Sequence, residues 1–191
     1  MSGISTPANA AVWGIEAAGT IPHSLIAACG GDTLKATKLF DKYMDPKIKR
    51  VALVDFDNDC VNTSLAVARE LGDRLEGVRL DTSDKMVDAS LIGQMGHFKP
   101  TGVNEQLVRN VREALDHEGF HKVKVMVSGG FTPERIRHFE EHKVPVDVYA
   151  VGSSIFATNV DFTADIVLLN GKPCAKAGRK FSPNPRLEDV L

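Results

Sequence analysis

The stretch VALVDFDND (51–59) is the clearest indication of the fold in this sequence. It begins with four apolar residues that favour β structure, and it ends on a run of carboxylates. A short apolar run that ends in this way is typical of a strand buried on both faces, as in a parallel sheet. The stretch therefore predicts a central strand, with polar groups gathered at its carboxyl end.

Three similar strands are predicted on the carboxyl side of this stretch: LEGVRLDT (75–82), KVKVMV (122–127) and VDVYAVG (146–152). Helices are predicted between them, from Asn58 or Asn62 to about 72, over 104–117, and from a cap at Thr132 to about His142. Three further helical segments, 9–18, 22–31 and 32–43, precede the first strand. Strands that alternate with helices predict an α/β fold with a parallel sheet.

The loops after these strands are rich in glycine, serine and aspartate, which favours a β/α barrel with its site at the carboxyl ends of the strands. A complete barrel of eight strands takes about 250 residues, and this chain has about half of the strands that closure needs. Two architectures remain for residues 1–161: an open sheet, or a piece of a larger barrel. Residues 162–191 form a tail in which Asn170-Gly171 predicts a β-hairpin that should dock on another part of the protein.

Composition excludes several classes of protein. The 191 residues carry a formal net charge of −2, which gives no support for a nucleic acid or an acidic membrane as partner. The three cysteines are odd in number and far apart, as in a reducing compartment. The sequence has no apolar run of membrane-spanning length and no signal pattern, so a cytoplasmic protein is expected.

Two loops are candidates for binding phosphate. In VSGGFTPERI (127–136), Ser128, Gly129 and Gly130 link a strand to a helix, whose free N–H groups suit an anion. The second loop, 152–154, follows the next strand and contains Gly152, Ser153 and Ser154. Either loop alone is equally well explained as a tight turn, whereas two such loops after consecutive strands favour a phosphate site.

Acidic residues at strand ends are the next candidates. Asp55 and Asp81 end neighbouring strands, with Arg79 beside the second, and paired carboxylates at such an edge suit Mg²⁺ or sugar hydroxyls. The alternative is that each aspartate caps the following helix, and this alternative is preferred for Asp57 and Asp59.

Basic residues give weaker signals. His23, in the segment GTIPH, is by itself best explained as a surface histidine. The basic residues of the tail are best explained as a solvated face; they are Lys172, Lys176, Arg179 and Lys180.

Five motifs in order resemble the nicotinate phosphoribosyltransferases and their quinolinate-using relatives: GTIPHSLI (19–26), VALVDFDND (51–59), EGVRLDTSD (76–84), VSGGFTPERI (127–136) and YAVGSSI (149–155). The resemblance implies an irregular β/α barrel of the phosphoribosyltransferase type. It also implies formation of nicotinate mononucleotide and pyrophosphate from nicotinate and phosphoribosyl pyrophosphate in NAD biosynthesis, coupled in many members to ATP hydrolysis.

The resemblance also implies roles for individual residues. His23 matches the histidine that ATP phosphorylates, and Thr20, in the same motif, is expected to bind substrate. Asp55 and Asp81 match acids around the ribose and the Mg²⁺-pyrophosphate, and Arg79 matches an arginine near the pyridine ring. The ribose 5′-phosphate would be held by the two small-residue loops, which contribute Ser128, Gly129, Gly130, Gly152, Ser153 and Ser154.

Family members also have an amino-terminal sandwich domain, and each site of their homodimer includes part of the neighbour. That domain is absent from this sequence, so the 191-residue chain is expected to be inactive alone. Three alternatives remain open: a quinolinate phosphoribosyltransferase, another phosphate-binding barrel enzyme such as a phosphosugar isomerase, and a non-catalytic phosphate-binding module. The segments GTIPH and RLDTSD speak against the isomerase.

Overall fold

The computed structural model of the chain describes residues 3–15, 17, 19–152, 154 and 163–185. Its centre is a sheet of four parallel strands in sequence order, β1 Arg50–Leu53, β2 Leu75–Leu80, β3 Lys124–Val127 and β4 Val148–Tyr149. In the register, Leu53 lies opposite Arg79 and Leu80 lies opposite Val127. The predicted α/β class with a parallel sheet is confirmed, and the sequential strand order is that of one wall of a β/α barrel.

Six α-helices accompany the sheet in the described part of the chain: α1 Pro7–Trp13, α2 His23–Ala28, α3 Thr33–Tyr43, α4 Cys60–Leu71, α5 Glu105–His117 and α6 Pro133–Glu141. Two short 3₁₀ helices, Gly72–Arg74 and Ala89–Gln94, lie between them. Side-chain caps begin four of the α-helices, and the capping residues are Asp32, Asp59, Asn104 and Thr132. Each cap accepts a backbone N–H that would otherwise lack a partner in the first turn. None of the helices among the described residues is long and apolar enough to cross a membrane.

The main core lies between the sheet and helices α4 and α5. One face of α5 is fully buried and packs with strand residues such as Val78 and Val125; its buried residues are Leu107, Val108, Val111 and Leu115. A second, smaller core joins α2 and α3 to the other part of β1, through Ile26, Ala36 and Leu53. These two cores fix the strands, and the strands in turn fix the positions of the residues that follow their carboxyl ends.

The tail forms the predicted hairpin, β5 Leu168–Leu169 and β6 Lys172–Pro173. Asn170 and Gly171 both have positive φ, 50° and 73°, as a two-residue hairpin turn requires. The chain then docks on the body of the protein. The thiol of Cys174 donates to the carbonyl of Ala27 at 3.3 Å, and the N–H of Ala177 donates to the carbonyl of Phe56 at 2.8 Å.

Several predicted boundaries are wrong. The first helix ends at Trp13 because Gly14 adopts a left-handed conformation (φ 61°). The helix after β1 begins behind Asp59 rather than at either predicted asparagine. The predicted second strand ends two residues early, so Asp81 is the first residue beyond it. The expected boundary between residues 161 and 162 lies outside the described residues.

Candidate functional site

The carboxyl ends of β1, β2 and β3 meet at one edge of the sheet. Asp55 follows β1, Asp81 follows β2 and Ser128 follows β3. The hydrogen bonds between neighbouring strands continue to this edge. The N–H of Val54 donates to the main-chain carbonyl of Arg79 at 3.2 Å, and the N–H of Ser128 donates to the main-chain carbonyl of Leu80 at 2.9 Å. The loops therefore leave a rigid base, which fixes where their first side chains lie.

Asp55 is fully buried and has a partner at each carboxylate oxygen. His23 Nε2 lies 3.0 Å from Oδ1, and the ammonium of Lys176 lies 2.5 Å from Oδ2. Burial alone would raise the pKa of Asp55. The hydrogen bond to His23 and the charge of Lys176 outweigh that effect, so the pKa lies below its ordinary value. Asp55 is therefore an anion, and it holds the ring of His23 in place.

Lys176 is a site residue that the sequence did not reveal. Its side chain is only 9% exposed, and besides Asp55 it contacts the main-chain carbonyl of Asp81, to which it donates at 2.8 Å. Its assignment to a solvated face is wrong for this residue, because the docked tail carries it under the edge of the sheet. The requirement that the hairpin dock somewhere was the only signal in the sequence.

Asp81 and Arg79 form a second group, joined by Ser128. The Ser128 hydroxyl lies 2.8 Å from Asp81 Oδ1 and 3.5 Å from Arg79 Nη1, and that guanidinium nitrogen is 3.8 Å from Asp81 Oδ2. Both charged side chains are partly exposed, 26% for Asp81 and 19% for Arg79. Arg79 Nε is buried and has no hydrogen-bond partner among the described residues. A carboxylate and a guanidinium are therefore both partly exposed at this edge of the sheet, and the guanidinium can still donate further hydrogen bonds.

The loop after β3 has the backbone that its glycines suggest. Gly129 and Gly130 both have positive φ, 86° and 72°, and a Cβ on Gly129 would lie 3.4 Å from Asp81 Oδ1. The loop leads directly into α6, where Thr132 accepts the N–H of Arg135. The start of α6, with its free N–H groups, suits the phosphate group of a sugar phosphate, and the neighbouring Asp81 suits the hydroxyl groups of the same sugar.

The loop after β4 lies against this first loop. The Ser154 hydroxyl donates to the carbonyl of Phe131 at 2.9 Å, and the N–H of Ala150 donates to Val127 at 2.8 Å. Gly152 is exposed, and Ser153 lies outside the described residues. The two candidate phosphate loops are therefore neighbours, and their joint binding of an anion stays a prediction.

The remaining candidates lie farther from this group. Thr20 is half-buried in the segment that enters α2, with no hydrogen bond to the other site residues among those described. Asp59 caps α4, as the alternative interpretation held. Burial raises the pKa of Asp57, and the negative charges of Asp59 and Asp32 add to this. Asp57 and Asp32 line one surface pocket.

The carboxylates differ in their fitness for a metal ion. Both oxygens of Asp55 already face a hydrogen-bond donor or a cation, which leaves no ligand atom for Mg²⁺. Asp81 is more open, and Mg²⁺ often binds one or two carboxylates together with substrate phosphates. The edge therefore fits Mg²⁺ through Asp81 and a phosphorylated ligand, with Lys176 as a fixed positive charge at Asp55.

No protein-family profile matches the sequence. Among solved structures, the chain is similar to nicotinate-nucleotide pyrophosphorylase from Pyrococcus furiosus, with 37% identity and a TM-score of 0.64 over 95% of this chain and 42% of that one. Nicotinate phosphoribosyltransferase from Porphyromonas gingivalis shares the fold, with 15% identity and a TM-score of 0.54 over 76% of this chain and 35% of that one. The chain thus spans less than half the length of either protein.

Proposed function

We propose, from the confirmed resemblance of this chain to the nicotinate and quinolinate phosphoribosyltransferases, that it is the phosphoribosyl-binding part of an enzyme of NAD biosynthesis. The reaction joins nicotinate to phosphoribosyl pyrophosphate and yields nicotinate mononucleotide and pyrophosphate. The protein from Pyrococcus furiosus is named for chemistry between a nicotinate nucleotide and pyrophosphate, which involves the same bond.

The observation that carries this proposal is the contact of Asp81 with the glycine loop. Asp81 Oδ1 accepts from Ser128 at 2.8 Å, and it would lie 3.4 Å from a Cβ placed on Gly129. A carboxylate is therefore held at the rim of a loop that suits phosphate. A ribose 5-phosphate fits this arrangement, because the loop can bind its phosphate while the carboxylate lies near its ring.

In the reaction, the ring nitrogen of nicotinate forms a bond to C1 of the ribose while the bond from C1 to the pyrophosphate oxygen breaks. Positive charge develops on the sugar, and Asp81 is placed to stabilise it. Arg79 supplies a guanidinium for the carboxylate of the pyridine ring. Mg²⁺ bound with the pyrophosphate would offset the negative charge of the leaving group.

ATP coupling would use His23. Asp55 contacts Nε2 at 3.0 Å, so donation of the Nε2 proton to Asp55 leaves the lone pair on Nδ1. Attack of Nδ1 on the γ-phosphorus of ATP forms an N–P bond and releases ADP. In the wild-type chain complemented with the amino-terminal part of a relative, we expect an acid-labile, base-stable label from γ-labelled ATP, and none with His23→Gln. A label that persists in this variant would contradict the role.

The test of the proposed function is a transfer assay with phosphoribosyl pyrophosphate, Mg²⁺ and either nicotinate or quinolinate. The assay mixture also contains the amino-terminal part of a relative, which supplies the portion of that protein to which this chain does not correspond. Asp81→Asn should lower the rate by roughly 10²–10³-fold, as removal of one electrostatic group does. Asp84→Asn, at an exposed residue three positions later, is the matched control and should keep the rate.

The same assay separates the alternatives. Release of CO₂ with quinolinate, and no product from nicotinate, would make the enzyme a quinolinate phosphoribosyltransferase. Binding of phosphoribosyl pyrophosphate without product from either acid would identify a phosphate-binding module. A rate that is unchanged in Asp81→Asn would contradict the catalytic role of this edge.

A further inference from the structure

Three metal-ligating side chains that belong to none of the groups described above meet at the surface of the protein. Glu105 is the first residue of α5, while His138 lies in the last turn of α6 and His142 caps its end. Glu105 Oε1 lies 2.8 Å from His138 Nε2 and 2.7 Å from His142 Nδ1. The three ligand atoms all lie within 4.8 Å of one another.

The spacing of the two histidines suits a transition metal. Residues four apart lie on one face of a helix, and two histidines at this spacing are a recurrent zinc-binding pair. Metal–ligand distances of about 2.0–2.2 Å place the ligands of a tetrahedral ion roughly 3.3 Å apart. Each of the two contacts to Glu105 therefore needs to open by about 0.5 Å, which side-chain rotation can supply.

The charges around the cluster are balanced. The end of α6 carries the negative pole of its helix dipole, which favours a cation at His138 and His142. Arg109 opposes this with a nearby positive charge, since its guanidinium donates to the carbonyl of His142 at 2.7 Å. That contact also orients the turn, so the backbone that carries His142 is already fixed.

All three side chains are accessible from solvent. The exposed fractions are 53% for His138, 49% for His142 and 29% for Glu105. An ion can enter without unfolding of the protein, and water can complete its coordination. Two imidazoles and one carboxylate select Zn²⁺, Co²⁺, Ni²⁺ or Cu²⁺ over Mg²⁺, which prefers oxygen ligands.

We propose that Glu105, His138 and His142 form a binding site for a divalent transition metal, with Zn²⁺ as the reference ion, that fastens α6 to α5. The site is independent of the proposed phosphoribosyl transfer. Its position has a structural consequence, because α6 begins at the glycine loop, residues 128–130. A metal ion here would hold the helix whose first turn faces that loop.

The experiment is calorimetric titration of the untagged chain with Zn²⁺ in excess Mg²⁺, together with thermal melting. Wild type should bind one ion at this site and should melt at a higher temperature with Zn²⁺. Loss of an outer-shell partner alone costs about 10–100-fold in metal affinity, so the double variant His138→Gln/His142→Gln should bind about 100-fold more weakly or worse. It should also lose the thermal shift.

The matched control is His121→Gln. His121 Nδ1 lies 3.0 Å from Asp116 Oδ1, so this is an exposed histidine–carboxylate pair outside the three-residue cluster. This variant should retain the affinity of the wild type. Equal Zn²⁺ affinity in wild type and the double variant would overturn the proposal, as would equal loss in the double variant and in His121→Gln.

Discussion

Lys176 lies with its ammonium group beside a fully buried carboxylate, and the two charges depend on each other. Lys176→Ala leaves Asp55 without its cation, and breaking a buried ion pair typically costs about 3–5 kcal/mol. We expect urea unfolding to show a loss of this size. Lys172→Ala, at an exposed position on β6, should change the stability by less than about 0.5 kcal/mol. Similar losses in both variants would contradict the buried pair.

The lowered pKa of Asp55 predicts how stability depends on pH. The pKa of Asp55 in the folded protein lies below the ordinary value of an aspartate, so the unfolded chain binds more protons in acid. The stabilisation is complete above about pH 5 and is lost as pH falls through the folded pKa. Urea unfolding between about pH 2 and 7 should therefore show a smaller decrease for Asp55→Asn than for wild type. If the free energy of unfolding depends on pH in the same way in wild type and in Asp55→Asn, Asp55 is not the anion described above.

At the scale of single residues, the sequence predicted the placement of Asp55 and Asp81, because a residue that ends a parallel strand must lie at the sheet's carboxyl edge. It did not predict Lys176, which is 95 residues from Asp81 along the chain and reaches it only through tertiary docking. Nor did it predict Glu105, His138 and His142 as a cluster, since their contact depends on how α5 packs against α6.

The loop between β3 and α6 is the element with the clearest requirement for glycine. Alanine at positive φ costs about 1–2 kcal/mol, so Gly129→Ala should be destabilised by this amount. Gly119→Ala is the matched control, because Gly119 has nearly the same φ, 83°, and no atom near its would-be Cβ.

Only the variant in the loop should lose affinity for phosphate. Loss of one hydrogen bond to a charged group is worth about 1.5 kcal/mol, which corresponds to about tenfold in affinity. Calorimetric titration with inorganic phosphate measures this. Equal affinity of the two variants would show that the loop does not contact the anion.

At the scale of elements, the sequence predicted every strand of the sheet and the hairpin, because buried parallel strands are continuous apolar runs and Asn-Gly favours a two-residue turn. Boundaries were less predictable. β4 pairs only at Val148 and Tyr149, although the apolar pattern continues to Gly152. An apolar run reports burial, whereas the length of a strand also depends on where the neighbouring strand stops.

At the scale of the whole molecule, the tail docks back on the edge where the strands end. The segment that follows the hairpin makes these contacts, through Cys174, Lys176 and Ala177. The homodimer and the inactivity of the 191-residue chain alone stay predictions, because both depend on surfaces of other chains. Sequence patterns indicate local structure and burial, and these two properties do not determine which surfaces of other chains the protein contacts.

We expect the loops after β3 and β4 to form one phosphate site beside Asp81. Hydrogen exchange of the backbone amides, measured with and without nicotinate mononucleotide, tests this site, and nicotinate, which has no phosphate, is the control ligand. We predict slower exchange at residues 128–130 and 152–154 with the nucleotide, no change there with nicotinate, and no change at residues 117–121 with either. Unchanged exchange in both loops at saturating nucleotide would contradict the claim.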